Sequence, residues 1–260
     1  VWGLARASGR RIVLRIEDHD RQRSRAAFDA ALLQDLAWLG FEADTPPLRQ
    51  SEDGSVYEAA VYRLRPGGLV YACDCSRTTF SDWARAHGHP WRGAGCPGGC
   101  RERSVAERAG VGLRVVLGDG DETWDDLRLG PQRDAPDREG DLLVRDRHGN
   151  WTYPLCVVVD DLRQGIDLVI RGQDLLDATA RQIRLGRLLG RDEPPVFYHH
   201  PLIRKPGGAK LSKSDADTGV RDLRERGLSA ATVLGEAAAA VGLLADPRPL
   251  DVLNVIDLFR

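Results

Sequence analysis

The sequence predicts an α/β fold: a doubly wound, mostly parallel sheet, interrupted by an inserted cysteine knuckle and followed by a short C-terminal helical segment. Three observations predict it. Short apolar runs rich in Val, Ile and Leu alternate with longer runs of helical period, which is the pattern of strands and helices wound around a parallel sheet. Four of the five cysteines fall between residues 73 and 100, where that alternation is interrupted. The last helical run, "LSAATVLGEAAAAVGLLA", contains Glu236 and several small residues and reads as a packed helix.

The elements follow in order. "VWGLARASG" looks like the back half of a helix, and the chain contains no methionine, so the expectation is that its true start lies further upstream. "RRIVLRIED" is a strand with a polar C-terminal end. "RAAFDAALLQDLAWLGF" has apolar residues at helical spacing and ends at Gly40. "SVYEAAVYRLR" is a second helix, halted by Pro66, Gly67 and Gly68. "LVYACDC" is a short strand running into the cysteines. "GVGLRVVLG" and "ETWDDL" are expected as strands of a small insertion, with a Pro/Asp/Arg-rich linker through about residue 139. "DLLVRDRHGNWTYPLCVVV" is expected to form a hairpin turning at His148, Gly149 and Asn150. The strand "IDLVIRG", the helix "DLLDATARQIRLGRLLG" and the strand "PVFYHHPLI" complete the sheet. The expected organisation is therefore a first half of a nucleotide-binding catalytic domain (1–65), an insertion (66–139), a second half (140–205) and a loop with C-terminal helices (206–260).

Composition excludes several classes. At 260 residues, 42% hydrophobic and 29% charged, the chain has the balance of an ordinary soluble globular protein. Nothing approaches the roughly 18 uninterrupted apolar residues of a membrane span, and no secretory signal is visible, so a cytoplasmic location and no membrane partner are expected. A net charge of −2 gives no overall basic field, so any RNA contact has to use local patches such as "RDLRER" at 221–226.

Cys73 and Cys75 ("CDC") and Cys96 and Cys100 ("CPGGC") form two close pairs about twenty residues apart. Four thiolates so spaced can converge on a tetrahedral zinc ion, and four protein ligands leave no open position, so the role would be structural. Disulfides and a metal-free knuckle are the alternatives. His87 and His89 lie between the pairs and read as loop histidines. Cys156, inside "LCVVV", reads as a small core residue.

In a parallel sheet, ligands bind beyond the carboxyl ends of the strands. Glu17 closes "IVLRIED", Arg171 closes "DLVIRG", and Tyr153 lies in what reads as the apolar hairpin strand "NWTYPL". Together they suit an amino acid: the carboxylate pairs with an ammonium, the guanidinium forks onto a carboxylate, and the phenol donates a hydrogen bond. A solvated acidic turn, a structural ion pair and a plain core tyrosine are the competing readings. The ligands of "EDHD" are too contiguous to converge on a metal. Last comes "KPGGAKLSKSD", residues 205–215. Lys205, Lys210 and Lys213 are the only lysines among 37 basic residues, the rest being arginine. A compact, rotatable point charge in a glycine-flanked loop suits a phosphate whose geometry changes.

At these residues the chain resembles a known family. "KLSKS" looks like the second signature loop of class I aminoacyl-tRNA synthetases, with leucine where methionine is usual. "LRIEDHDRQRS", "NWTYPLCVVVDDLRQGIDLVIRGQDLL" and that loop, in this order, resemble the glutamyl branch. Only about 46 residues follow Ser214, too few for an anticodon-binding domain. With the knuckle, this looks like the glutamyl-queuosine tRNA(Asp) synthetases. The resemblance implies a Rossmann-like catalytic domain and a monomer that activates L-glutamate with ATP; magnesium is expected to accompany the ATP, since it reaches such sites on the phosphates. The monomer then transfers glutamate to the queuosine base of tRNA(Asp). It further implies Glu17, Tyr153 and Arg171 as glutamate-binding residues. Lys210 and Lys213 would be catalytic and, with Ser212 and Ser214, would bind ATP; Cys73, Cys75, Cys96 and Cys100 would hold Zn2+. The family commonly has tyrosine as third metal ligand, where this chain has Cys96, and its first signature is expected upstream of "VWGLARASG". A catalytic piece of a glutamyl-tRNA synthetase and an inactive RNA-binding remnant are the alternative readings.

Overall fold

A computed structural model describes residues 1–19, 26–93, 95–203 and 219–260, with Ala26 described by its backbone only. In chain order the described helices are α1 (Trp2–Ala7), α2 (Ala26–Trp38), α3 (Gly54–Leu64), α4 (Arg77–His87), α5 (Tyr153–Arg163), α6 (Thr179–Leu188), α7 (Val220–Glu225) and α8 (Ala230–Ala240). The strands are β1 (Arg15–Ile16), β2 (Leu48–Arg49), β3 (Val70–Cys73), β4 (Gly112–Val115), β5 (Glu122–Asp126), β6 (Gly130–Asp134), β7 (Leu142–Arg145), β8 (Leu168–Gly172) and β9 (Val196–His200). The chain divides into two compact units, one of residues 1–16, 24–48 and 200–260, the other of residues 17–23 and 49–199.

In the first unit Leu39, Val233, Leu234, Ala238 and Leu250 form the buried cluster, with Trp38, Phe41 and Val252 against it. α2 ends as its sequence predicts. Gly40 takes φ +77, a left-handed value that glycine reaches without a Cβ clash, and a Cβ there would lie only 3.0 Å from Val252. The helix-like start is also present, as α1. It packs on the 3₁₀ segment Val252–Phe259, and Gly3 permits the approach, since a Cβ would meet the Phe259 ring at 2.6 Å. The long strand expected over "RRIVLRIED" is shorter. β1 keeps two residues, paired with β2, and the main-chain link continues through Leu48 N–H donating to the Leu14 carbonyl.

The second unit holds two sheets. β3, β4 and β7 form an antiparallel sheet in the order β3-β4-β7, with Val70 opposite Val115 and Cys73 opposite Gly112. The other runs β6-β5-β9-β8, with β5 and β6 antiparallel and β5 parallel to β9. The fold is therefore mixed α/β with parallel pairing. A single doubly wound parallel sheet is not what the described strands form, because strand-like runs identify elements but not their partners. β7, beyond residue 139, pairs with β4, and β5 pairs with β9. The stretch expected as a linker before residue 139 contains β6. α3, α5 and α6 pack around a core of Tyr57, Val61, Leu113, Val144, Leu155 and Leu185.

The expected hairpin is corrected as well. β7 does reach a turn, in which the Asp146 carboxylate accepts from His148 N–H at 2.8 Å and Asn150 N–H at 2.9 Å, with Gly149 at φ +85. After a single bridge between Arg145 and Trp151, however, the chain becomes α5. Tyr153 thus opens a helix instead of lying in a strand. Pro154 sits in the first turn, where its missing N–H has no partner to lose. Six successive residues, Leu155 to Asp160, are buried, so no polar face marks a helical period, and the three valines mimic a strand. Burial outweighs their modest helix penalty, roughly half a kcal/mol each.

Candidate active site and cysteine centre

Arg171 lies at the C-terminal end of β8 with 8% of its surface exposed. Three neutral side chains hold its guanidinium. Nη2 donates to Thr179 Oγ1 at 2.8 Å, Nη1 to Gln182 Oε1, and Nε to His199 Nε2 at 3.0 Å. The Phe197 ring lies beneath it at 5.1 Å. Because the guanidinium only donates, His199 Nε2 must be the lone-pair nitrogen. The proton is then on Nδ1, which donates to Asp126 Oδ2 at 2.6 Å. Asp126 also accepts from Arg128 N–H and Leu129 N–H, both at 2.9 Å. Burial and these donors act in opposite senses on its carboxyl, and the net effect holds it below the usual range. Burial keeps His199 neutral, lowering its pKa against the pull of Asp126. A chain of hydrogen bonds from Asp126 through His199 therefore fixes the plane of Arg171.

The sign of the His199 shift sets a pH dependence. A histidine whose folded pKa is depressed favours the unfolded chain once protons become available, so the stability it contributes is present above about pH 6.5 and is lost as the pH falls toward the depressed value. Urea unfolding midpoints are expected to drop between about pH 7 and about pH 5, with a shallower drop in His199→Gln. Parallel slopes in the two proteins would count against this arrangement.

Tyr153, half-buried at the start of α5, has its phenol pKa raised by burial and then by the Glu17 carboxylate, while Arg171 acts on it in the opposite sense. These three residues are thus brought together from β8, the head of α5 and the segment before residue 20. Asp18, between Glu17 and His19, faces elsewhere. Its carboxylate accepts from Ser51 N–H at 2.8 Å, Ser51 Oγ at 2.7 Å and Arg49 Nη1 at 2.7 Å. The acidic turn is therefore not uniformly solvated: Asp18 is 6% exposed and Glu17 is exposed. Lys205, Lys210, Ser212, Lys213 and Ser214 lie outside the described residues.

No sequence motif marks His199, Asp126, Thr179 and Gln182; the only signal for the first two is a polar residue at a strand end, in "YHH" and "WDD". Asp160 is likewise unmarked, a fully buried carboxylate in "VVVDDL" that accepts from Gln50 Nε2 at 2.8 Å and from the Tyr57 hydroxyl at 3.1 Å.

The cysteines converge as expected. The Sγ atoms of Cys73, Cys75, Cys96 and Cys100 all lie within 4.8 Å of one another, and those of Cys75 and Cys100 are 3.5 Å apart. Four thiolates around zinc at about 2.3 Å would be separated by about 3.8 Å, so this donor set fits a tetrahedral zinc site. All four are free thiols. Gly98 keeps the knuckle tight, since a Cβ there would lie 2.7 Å from Cys75 Sγ. Arg114 Nε donates to Cys73 Sγ at 3.3 Å and Arg103 Nη2 to Cys100 Sγ at 3.4 Å, supplying positive charge around a thiolate cluster. His87 instead stacks on Trp83 at 3.9 Å, and neither it nor His89 joins the cluster. Cys156 is fully buried core.

The strand-end Arg171, Tyr153 at the head of α5 and Glu17 lie in the same mixed α/β unit as the cysteine knuckle. The family model described as "tRNA synthetases class I (E and Q), catalytic domain" matches residues 1–234. Two curated relatives, both called glutamyl-Q tRNA(Asp) synthetase, extend the match. That of Symbiobacterium thermophilum is 41% identical, covering 100% of this chain and 86% of the relative. That of Rhodobacter capsulatus is 37% identical, covering 88% of each. The chain belongs to the class I glutamyl and glutaminyl tRNA synthetase family, in its glutamyl-Q tRNA(Asp) synthetase branch. Among solved structures, a glutamate tRNA ligase from Elizabethkingia meningosepticum in complex with its amino acid has the same fold. Its TM-score is 0.79 at 22% identity, covering 100% of this chain and 59% of that one. Among the described residues, no helix is long and apolar enough to cross a membrane.

Proposed function

We propose that this protein activates L-glutamate with ATP and transfers it to the queuosine base of tRNA(Asp). The observation that carries the reading is the match, over essentially the whole chain, to synthetases of that name. The gathering of Glu17, Tyr153 and Arg171 supports it. In this reading Arg171 forks onto the side-chain carboxylate of glutamate, Tyr153 donates to it, and Glu17 pairs with the α-ammonium. The α-carboxylate then attacks the α-phosphorus of ATP, and pyrophosphate leaves with the electron pair of the broken P–O bond. Negative charge grows on the leaving group. Lys213, assisted by Lys210, meets that charge, and Ser212 and Ser214 contact the nucleotide, which arrives with Mg2+. Cys73, Cys75, Cys96 and Cys100 would hold a zinc ion whose contribution is structural, tying the knuckle together.

The experiment is a charging assay with tRNA(Asp), with and without queuosine, beside tRNA(Glu). Glutamate is expected on queuosine-containing tRNA(Asp) alone; charging of tRNA(Glu) instead would overturn the reading. In the same assay series Lys213→Ala should depress glutamate-dependent ATP–pyrophosphate exchange by about 10²- to 10³-fold, the usual scale for one donor aimed at developing charge. Unchanged exchange would remove Lys213 from the mechanism.

A further inference from the structure

The transfer step needs a base, because a queuosine hydroxyl must lose its proton as it attacks the glutamyl carbonyl. From the hydrogen-bond geometry we infer that His19 Nε2 is that base, an assignment that rests on the function proposed above. The argument starts at Asp160, fully buried, where Arg163 Nε approaches to 3.2 Å and keeps a positive charge beside the carboxylate. A carboxylate only accepts, so the Gln50 atom facing it at 2.8 Å is the amide nitrogen. Gln50 is itself buried, and its oxygen then faces His19 Nδ1 at 2.9 Å and must accept from it. This places the proton on Nδ1 and the lone pair on Nε2, on the side of the ring away from Gln50. A nucleophile's base oriented by a third group is the recurrent arrangement for hydroxyl activation, and here the orienting group is an amide backed by a buried carboxylate.

His19 is also in the right place. Its ring centroid is 6.3 Å from that of Tyr153, and Glu17 acts electrostatically on the same tyrosine, while Asp18 between them turns to Arg49 and Ser51. His19 therefore lies beside Tyr153, the residue on which Glu17 and Arg171 both act. The carboxyl carbon that reacts is bonded to the carbon that bears the ammonium paired with Glu17. His19 further lines an open, polar cavity of about 320 Å3 with Gln50, Tyr57, His148, Asn150 and Trp151, space of a size for an incoming nucleoside. The step balances. The hydroxyl proton passes to His19 Nε2, the oxygen bonds to the glutamyl carbonyl carbon, and the bond from that carbon to the adenylate oxygen breaks. AMP leaves with the electron pair, and the imidazolium returns its proton to solvent.

The test separates the two half-reactions in the full chain. Glutamate-dependent ATP–pyrophosphate exchange reports activation, and single-turnover transfer from preformed adenylate to queuosine-containing tRNA(Asp) reports the step assigned to His19. In His19→Gln, transfer is expected to fall by about 10²- to 10⁴-fold, the usual range for a general base, while exchange stays within about threefold. In His19→Ala, added imidazole should restore part of the transfer rate. Transfer unchanged in His19→Gln would overturn the assignment, as would a parallel loss of exchange and transfer that imidazole does not rescue. If the unsubstituted protein supports exchange but puts no glutamate on queuosine-containing tRNA(Asp), the proposed function fails and this assignment with it.

Discussion

Arg171→Lys is expected to raise the KM for glutamate in ATP–pyrophosphate exchange by about 10- to 100-fold, the worth of roughly one charge-assisted hydrogen bond. The KM for ATP should change little. The reason lies in how the guanidinium is held. Each of its three nitrogens already donates to a neutral side chain, and His199 is locked as acceptor by Asp126 on its far side. The plane is thus fixed before any ligand arrives, and the positive charge is free of a protonating partner at His199. An ammonium has no plane to fix and cannot serve Thr179, Gln182 and His199 while presenting two parallel donors to a carboxylate. It would also be buried, which disfavours its charged form. Exchange kinetics at varied glutamate and varied ATP check this. Equal increases in both KM values would mean that Arg171 supports the fold rather than the amino acid.

Removing zinc, or one of its ligands by Cys100→Ser, is expected to produce the largest loss of stability. Metal analysis should find about one zinc per chain in the unsubstituted protein and much less in the variant. Burial raises the thiol of Cys75 to about 11 and that of Cys100 further, so neither would ionise readily without a cation. A zinc ion removes that cost, and Arg103 and Arg114 offset the excess negative charge of four thiolates. Structural zinc binds small knuckle peptides with about 10–16 kcal/mol, and a whole domain is stable by only about 5–15 kcal/mol. Even a third of the metal term would therefore decide whether the sheet β3-β4-β7, which carries Cys73, stays folded. Chelator-dependent melting followed by circular dichroism checks this. An unchanged melting curve on complete metal removal would show the knuckle to be self-supporting.

The tyrosine and the histidines illustrate where sequence reading stopped. Tyr153 reads from the sequence as part of a strand, yet it opens a helix. Three valines and a cysteine in a row have no polar interruption, so burial on every side erases the 3.6-residue signal. His199 carries no local functional signal, and His19 enters only through the metal reading of "EDHD", whose ligands are too contiguous to converge. Each acquires its role from a buried carboxylate 73 or more than 100 residues away in the chain, Asp126 for one and Asp160, through Gln50, for the other. No local pattern carries such a pairing. The cysteines are the opposite case. Their spacing alone brings four sulfurs within reach of one ion, and the fold had only to close the loop, with Gly98 supplying the room.

The chain by itself determined which segments are apolar, where α2 must stop at Gly40, and which four thiols belong together. Those are properties of residue chemistry and short-range spacing. Only the tertiary structure decided that β5 pairs with β9 and not within a separate insertion, that Tyr153 heads a helix, and that two hydrogen-bond chains set the protons on His19 and His199. Strand partners and tautomers depend on groups distant in sequence, and those distances close only when apolar surfaces are buried, α3 and α5 against β3-β4-β7 and α6 against β5 and β9.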